Sequence, residues 1–158
     1  MKPYEMRYFE RQMEREESFS LLHNGLYGVL STVDDNGQPY GVPLNYVFNN
    51  NNVYFHCALE GHKLENIKYN DKVSFTVVGD SIIMPSKFSI AYESVILFGI
   101  ISMVEDEEEK EMALKVLVEK YSPEFIVEGE LYIKRAINRC AVFKIEIQSL
   151  TGKHRLKS

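Results

Sequence analysis

The chain has 158 residues, of which 45% are hydrophobic and 26% charged, a composition typical of a globular protein. A net charge of −5 argues against a nucleic-acid partner, because nucleic-acid binding needs a basic stripe. The polar start, and an apolar run at residues 95–104 that is too short to span a bilayer, predict a cytoplasmic protein with no membrane partner.

The first part of the sequence predicts three strands separated by turns. Residues 1–17 are rich in Glu and Arg and predict a solvated N-terminal arm, which a short helix at 18–23 follows. Residues 34–37 read Asp-Asp-Asn-Gly, and residues 49–52 are four asparagines, which tolerate left-handed backbone angles. These turn signals separate predicted strands at 26–33, 39–48 and 52–57.

The rest of the sequence alternates strands with helices. Acidic residues followed by an apolar stripe predict the clearest helix at 105–121. Gly99 lies inside a long apolar segment and predicts a bulge or bend there. The other predicted elements are a helix at 60–70, a loop at 79–87 and strands at 72–78, 88–104 and 141–147. Strands joined largely by hairpins predict one domain over residues 1–158, mainly β, an antiparallel barrel with peripheral helices.

Two features in the middle of the chain break local rules. His62 and Lys63 lie in the first turn of a predicted helix, where the helix dipole attracts anions and disfavours basic side chains. Pro43 interrupts a good strand, and because proline cannot donate to a strand ladder, we expect unpaired backbone near Leu44 and Asn45. Each feature alone has an ordinary explanation, an exposed helix start or an edge strand. Together they predict a slot for a flat heterocycle with a phosphate tail.

The residues between these features offer weaker signals. His56 lies on a strand in an apolar setting, where a hydrogen-bonded core or cleft histidine is the ordinary interpretation. It could share a metal with His62, but no third ligand is evident, so we predict no metal site. Cys57 beside it invites a thiolate, yet no orienting group accompanies it. Cys57 and Cys140 are therefore interpreted as inert, reduced thiols.

A specific combination is formed by four segments: residues 40–46 (Tyr-Gly-Val-Pro-Leu-Asn-Tyr), 54–58 (Tyr-Phe-His-Cys-Ala), 61–64 (Gly-His-Lys-Leu) and 92–99 (Tyr-Glu-Ser-Val-Ile-Leu-Phe-Gly). It resembles the nitroimidazole-resistance branch of the pyridoxamine 5′-phosphate oxidase-like flavin proteins. The resemblance implies a split β-barrel that binds FMN at the interface of a homodimer. It also implies the cofactor-binding residues: Val42, Pro43, Leu44 and Asn45 along the flavin ring, His56, Cys57 and Ala58 lining the site, His62 and Lys63 at the phosphate, and Ser94 and Val95 from the other subunit.

We therefore expect an FMN-dependent oxidoreductase that acts on a small aromatic or nitroaromatic molecule, with the flavin carrying the electrons. His56 is the best candidate for a general acid, since an imidazole suits proton transfer near neutral pH. Two alternatives stay open: a flavin-binding carrier or sensor without turnover, and a haem protein that uses a histidine as axial ligand. Apolar residues on both faces of the segment at 95–101 also favour a homodimer, because one small barrel cannot easily cover both.

Overall fold

The computed structural model describes residues 6–156, which form seven β-strands and four α-helices. The strands are β1 (Gly28–Val33), β2 (Pro39–Leu44), β3 (Val47–Asn49), β4 (Asn52–Cys57), β5 (Lys72–Met84), β6 (Ser89–Met103) and β7 (Ala141–Arg155). The helices are α1 (Arg15–Asn24), α2 (His62–Tyr69), α3 (Glu107–Tyr121) and α4 (Ile126–Ala136). The mainly β class with peripheral helices is confirmed.

The strands make one antiparallel sheet in the order β2-β1-β5-β6-β7-β4-β3. Although β2 and β3 stand at opposite ends of this order, only Asn45 and Tyr46 separate them in the chain. Two residues span less than about 11 Å even when fully extended, so the two ends must lie close together. The sheet therefore curls into a barrel that stays open between its first and last strands, which is the predicted split barrel.

The single strand predicted at 39–48 is wrong, because the structure divides it between the two ends of the sheet. Pairing of β2 with β1 continues through Pro43 and stops after Leu44, next to the predicted break. The chain then crosses the opening, and the Tyr46 hydroxyl donates a hydrogen bond of 2.6 Å to the carbonyl of Leu22. Apolar residues continue across the crossing, so the sequence pattern does not reveal it.

The hairpin of β5 and β6 is longer than the sequence predicts. Residues 79–84 are predicted as a loop, but they continue β5 after an irregularity between Val78 and Ser81, and Met84 pairs with Ser89. The loop prediction is wrong because its β-branched isoleucines favour a strand, and the chain turns only at Pro85. The predicted bulge at Gly99 is confirmed. There the β6–β7 register shifts, and a Cβ would collide with the backbone of β7.

Buried side chains form two clusters, one on each face of the sheet. The barrel cluster fills the inside and includes the fully buried Leu30, Tyr46, Phe55, Phe75 and Val95. The helix cluster lies on the outside of β4 and β7, under α3 and α4, and includes Tyr54, Ala113, Leu117, Ile133 and Val142. Because side chains alternate along a strand, β4 directs Phe55 into the barrel and His56 towards the helices.

The predicted solvated arm at 1–17 differs from the structure where the structure describes it. Residues 1–5 lie outside the described residues. Gln12 forms a β-bridge with Lys153, and the Met13 N–H donates to the carbonyl of Gly152 at 3.0 Å. The Met13 side chain is buried in the barrel cluster. This segment packs against β7 because its backbone pairs there and the Met13 side chain is buried.

Candidate functional site

The opening of the barrel exposes strand edges that have no partner strand among residues 6–156. β2 pairs only with β1, and β3 covers only the first half of β4, so the segment from Phe55 to Cys57 pairs with β7 alone. Backbone N–H and C=O groups on such edges are free to bind a ligand. Seven of the predicted cofactor-binding residues lie on or directly after these edges, namely Val42, Pro43, Leu44, Asn45, His56, Cys57 and Ala58.

The start of α2 lies between the two edges. The ring of His62 stacks against Tyr40 of β2 with 4.2 Å between centroids. On the other side, the charge of half-buried Lys63 acts on the Cys57 thiol of β4. Burial raises the pKa of Cys57, and the Lys63 ammonium opposes that rise. The fold thus brings the predicted anion-binding residues to the opening, between the two edges that were predicted to hold a planar ring.

Gly61 leaves the start of α2 open. Its φ is 138°, a backbone angle that favours glycine, and no side chain caps the helix at this position. A Cβ placed on Gly61 would have nothing within 4 Å, so an approaching group meets empty space there. The first N–H groups of a helix lack partners within the helix and suit a phosphate. The residues around Gly61 therefore leave room for an anion at the start of α2.

His56 faces a separate space, a cleft of about 530 Å³ between β4, α3 and α4. The floor of this cleft is apolar and buried, and Leu114 and Leu117 belong to it. His56 itself is exposed, but its surroundings still desolvate the imidazole in part and lower its pKa below the ordinary 6.5. The lowered pKa favours the neutral ring, which carries one N–H donor and one acceptor nitrogen. Asn45 also lines the cleft, which therefore adjoins the strand edge.

The two cysteines pack against different clusters. Cys57 packs against the barrel cluster, whereas Cys140, just before β7, packs against the helix cluster. Both thiols are free, as the sequence predicts.

The residues predicted to come from a second subunit have different surroundings in one chain. Val95 is fully buried in the barrel cluster, so its side chain offers no surface to a second copy. Ser94 is half-buried, and the outward positions of β6 are occupied by Ile96 and Phe98, which are 41% and 42% exposed. Any contact that β6 makes with a second subunit must therefore use these outward side chains or the backbone.

Sequence reasoning misses a polar clamp at the end of α3 that holds the crossing between β2 and β3. The Tyr121 hydroxyl accepts from the Tyr46 N–H at 3.0 Å and lies 2.8 Å from the carbonyl of Leu26. Lys120 donates to the carbonyls of Gly25 at 2.7 Å and Tyr46 at 3.1 Å. Its ammonium lies 4.2 Å from the centroid of the Tyr46 ring, and burial lowers its pKa to about 8.

This clamp fixes the backbone beside Asn45, and through it one wall of the cleft. The sequence places Tyr121 in an apolar stripe of α3, and a lysine in the last turn of a helix is common for electrostatic reasons. No local signal therefore marks the pair, because their partners are backbone groups that are distant in the sequence.

Among residues 6–156, no group of three or more His, Cys, Asp and Glu side chains is arranged to hold a metal ion. No helix in the same part of the chain combines the length and the hydropathy needed to cross a bilayer.

A family model described as pyridoxamine 5′-phosphate oxidase matches residues 14–154. A comparison with curated proteins found no match. Several solved structures share the fold at low sequence identity. One, from Bacteroides thetaiotaomicron and provisionally described as a 5-nitroimidazole antibiotic resistance protein, is 24% identical over 98% of this chain and 95% of its own, with a TM-score of 0.73.

Two further structures belong to proteins described by their cofactors. An FAD-binding protein from Mesorhizobium loti is 22% identical over 92% of this chain and 98% of its own, with a TM-score of 0.67. An FAD- and haem-binding protein from Mycobacterium smegmatis is 18% identical over 93% of this chain and 74% of its own, with a TM-score of 0.80. At these identities the similarity establishes the fold.

Proposed function

This chain belongs to the pyridoxamine 5′-phosphate oxidase family, and we propose that it is an FMN-dependent oxidoreductase that reduces a small aromatic or nitroaromatic molecule. The observation that carries the proposal is the position of the α2 start. The His62 ring packs against Tyr40 of β2, and the charge of Lys63 acts on Cys57 at the end of β4, so this basic helix start is close enough to interact with both edges of the open barrel.

In this proposal Lys63, His62 and the first N–H groups of α2 hold the phosphate, next to the open position at Gly61. The backbone edge at residues 42–45 and the end of β4 hold the planar ring. Bound FMN supplies reversible electron transfer, and the protein supplies position and electrostatics. The FAD-binding relatives support a flavin, and the short phosphate site formed by one helix start favours the mononucleotide.

His56 is proposed as the hydrogen-bond donor to the reacting group of the substrate. Its neutral imidazole carries one N–H donor and lies in the cleft that adjoins the strand edge at Asn45. Negative charge that develops on nitro oxygens would be stabilised by this donor in a partly desolvated setting. The chain's own contribution is thus to orient the acceptor, exclude water with the apolar floor, and donate to the oxygen.

Haem is the second candidate cofactor, since one relative is described as binding FAD and haem. An exposed histidine beside an apolar cleft, as at His56, is what an axial ligand requires. A flavin carrier without turnover would use the same site at the α2 start but would not need His56. The visible spectrum separates the two cofactors, and reoxidation kinetics separate the enzyme from the carrier.

We also propose that the protein is a homodimer. β5 and β6 expose Val78, Ile82, Ile83, Ile96 and Phe98, each at least 41% accessible. This chain does not cover these residues itself, and a two-fold dimer is the commonest way to bury such a face.

The test of the function is anaerobic reoxidation. The flavin-loaded protein is reduced chemically and mixed with a 5-nitroimidazole, and the return of the flavin absorbance is followed by stopped flow. We expect His56→Phe to slow this step by about 10²-fold or more while FMN stays bound. His23→Phe is the matched control, because His23 is exposed on α1 outside this cleft.

Two results would contradict different parts of the proposal. Reduced protein that no nitroaromatic reoxidises would exclude this substrate class and favour the carrier. Reoxidation at the wild-type rate in His56→Phe would keep the substrate class but remove the role of His56.

A further inference from the structure

The mouth of the His56 cleft has two exposed aromatic side chains. Phe125 is 58% exposed and Tyr132 is 71% exposed, although both line the cleft. Phe125 directly precedes α4 and Tyr132 lies within it, so the segment at 125–132 brings both rings to the cleft. Rings held apart at the mouth of an apolar cleft are suited to stack on a flat ligand.

The described residues that line the cleft include an acidic side chain but no Lys or Arg. Glu128 is the only Asp, Glu, Lys or Arg side chain among the described residues that line it. Glu128 lies in the first turn of α4, between Phe125 and Tyr132 in the sequence. An anion entering this cleft would lose hydrating water against an apolar floor. It would contact no Lys or Arg side chain among the described lining residues and would be repelled by the Glu128 carboxylate at the mouth.

We propose that this cleft is the substrate chamber and that it selects flat heteroaromatic molecules that are neutral or positively charged, while it rejects phosphorylated ones. The inference rests on the proposed function for the identity of the reaction. It adds the charge class of the substrate, and it excludes pyridoxamine 5′-phosphate from this cleft. The phosphate-binding groups of the chain, at the start of α2, lie outside the lining of the cleft.

The test uses three probes with one ring: 2-methyl-5-nitroimidazole-1-ethanol, its phosphate monoester, and the analogue with an amine in place of the hydroxyl. Binding to the oxidised, FMN-loaded protein is measured by calorimetry. We expect the amine to bind about two- to fivefold more tightly than the alcohol, because an ion pair with one exposed carboxylate contributes little to affinity. The phosphate ester should bind at least about tenfold more weakly than the alcohol.

Glu128→Lys should reverse the order of the charged probes. Glu130→Lys is the matched control, because Glu130 lies on α4 outside this cleft. The phosphate ester binding as tightly as the alcohol would overturn the proposal. So would equal changes in both variants, which would indicate a general effect of the charge of α4.

Equilibrium binding to the oxidised protein does not depend on turnover. Failure of the proposed function appears as absent flavin uptake or absent reoxidation, whereas failure of charge selection appears only in the order of the three affinities.

Discussion

Replacing Lys63 by Ala should weaken FMN binding far more than it weakens folding. Lys63 is half-buried beside the open start of α2, and no carboxylate pairs with it in the described part of the chain. The folded protein therefore loses no ion pair when this ammonium is removed. Bound FMN would lose one charge-assisted hydrogen bond, worth about 1.5–3 kcal/mol. That corresponds to a loss of about 10- to 150-fold in affinity.

The assay is titration of flavin-free protein with FMN, followed by flavin fluorescence, together with urea unfolding of the flavin-free protein. Lys68→Ala is the matched control, because Lys68 lies on the same helix and its ammonium pairs with Glu65 at 2.8 Å on the solvent side. We expect that control to bind FMN as the wild type does. The free energy of unfolding should change by less than about 0.5 kcal/mol in both variants.

Equal FMN affinity in wild type and Lys63→Ala would refute the assignment of the phosphate to the start of α2. An equal loss in Lys63→Ala and Lys68→Ala would also refute it, since it would reflect long-range charge alone.

Three further predictions concern stability, pH and assembly. Tyr121→Phe leaves the Tyr46 N–H without its partner and should lower the free energy of unfolding by about 1–3 kcal/mol in urea titrations. The exposed control Tyr69→Phe should change it by less than about 0.5 kcal/mol, and equal values would contradict the clamp. The pKa of His56 in the folded protein lies below 6.5, so the unfolded state takes up the proton first as the pH falls. The free energy of unfolding of the wild type, relative to that of His56→Phe, should therefore be constant above pH 6.5 and decline below it. A rise of this difference on acidification would contradict the desolvation of His56. Light scattering should give the mass of a dimer, and Ile96→Lys should give a monomer; a monomeric wild type would contradict the homodimer.

Local signals in the sequence predict the turns and the start of α3, but not all of the strand boundaries or where the strands pair. Asn50 and Asn51 adopt positive φ in the predicted turn, and Gly37 does so in the other. The helix at 105–121 follows from its acidic start, and it begins in the structure at Glu107. These features depend only on neighbouring residues, so a single sequence is sufficient.

The sequence predictions fail for segments whose structure is determined by pairing with residues that are distant in the sequence. Pro43 marks an interruption near Leu44, but the assignment of the residues before and after it to opposite ends of the sheet depends on strand pairing that no local signal specifies. Residues 81–84 pair with β6, and this pairing continues the strand beyond the loop-like Gly79 and Asp80. The bonds of Lys120 and Tyr121 join helix and backbone groups more than 70 residues apart, beyond the reach of any periodic pattern.

In the candidate site, too, features that depend on neighbouring residues could be predicted and features that depend on the folded chain could not. His62 and Lys63 could be singled out because basic residues at a helix start break a local electrostatic rule. The cleft beside His56 could not, because its walls come from β4, α3 and α4 and exist only after folding.

The decisive measurement is the identity of the cofactor that co-purifies with the protein. We expect the purified protein to show the visible absorption bands of a flavin and to release FMN, identified by chromatography, when it is denatured. A haem spectrum, or a colourless protein that binds no added FMN, would contradict this expectation.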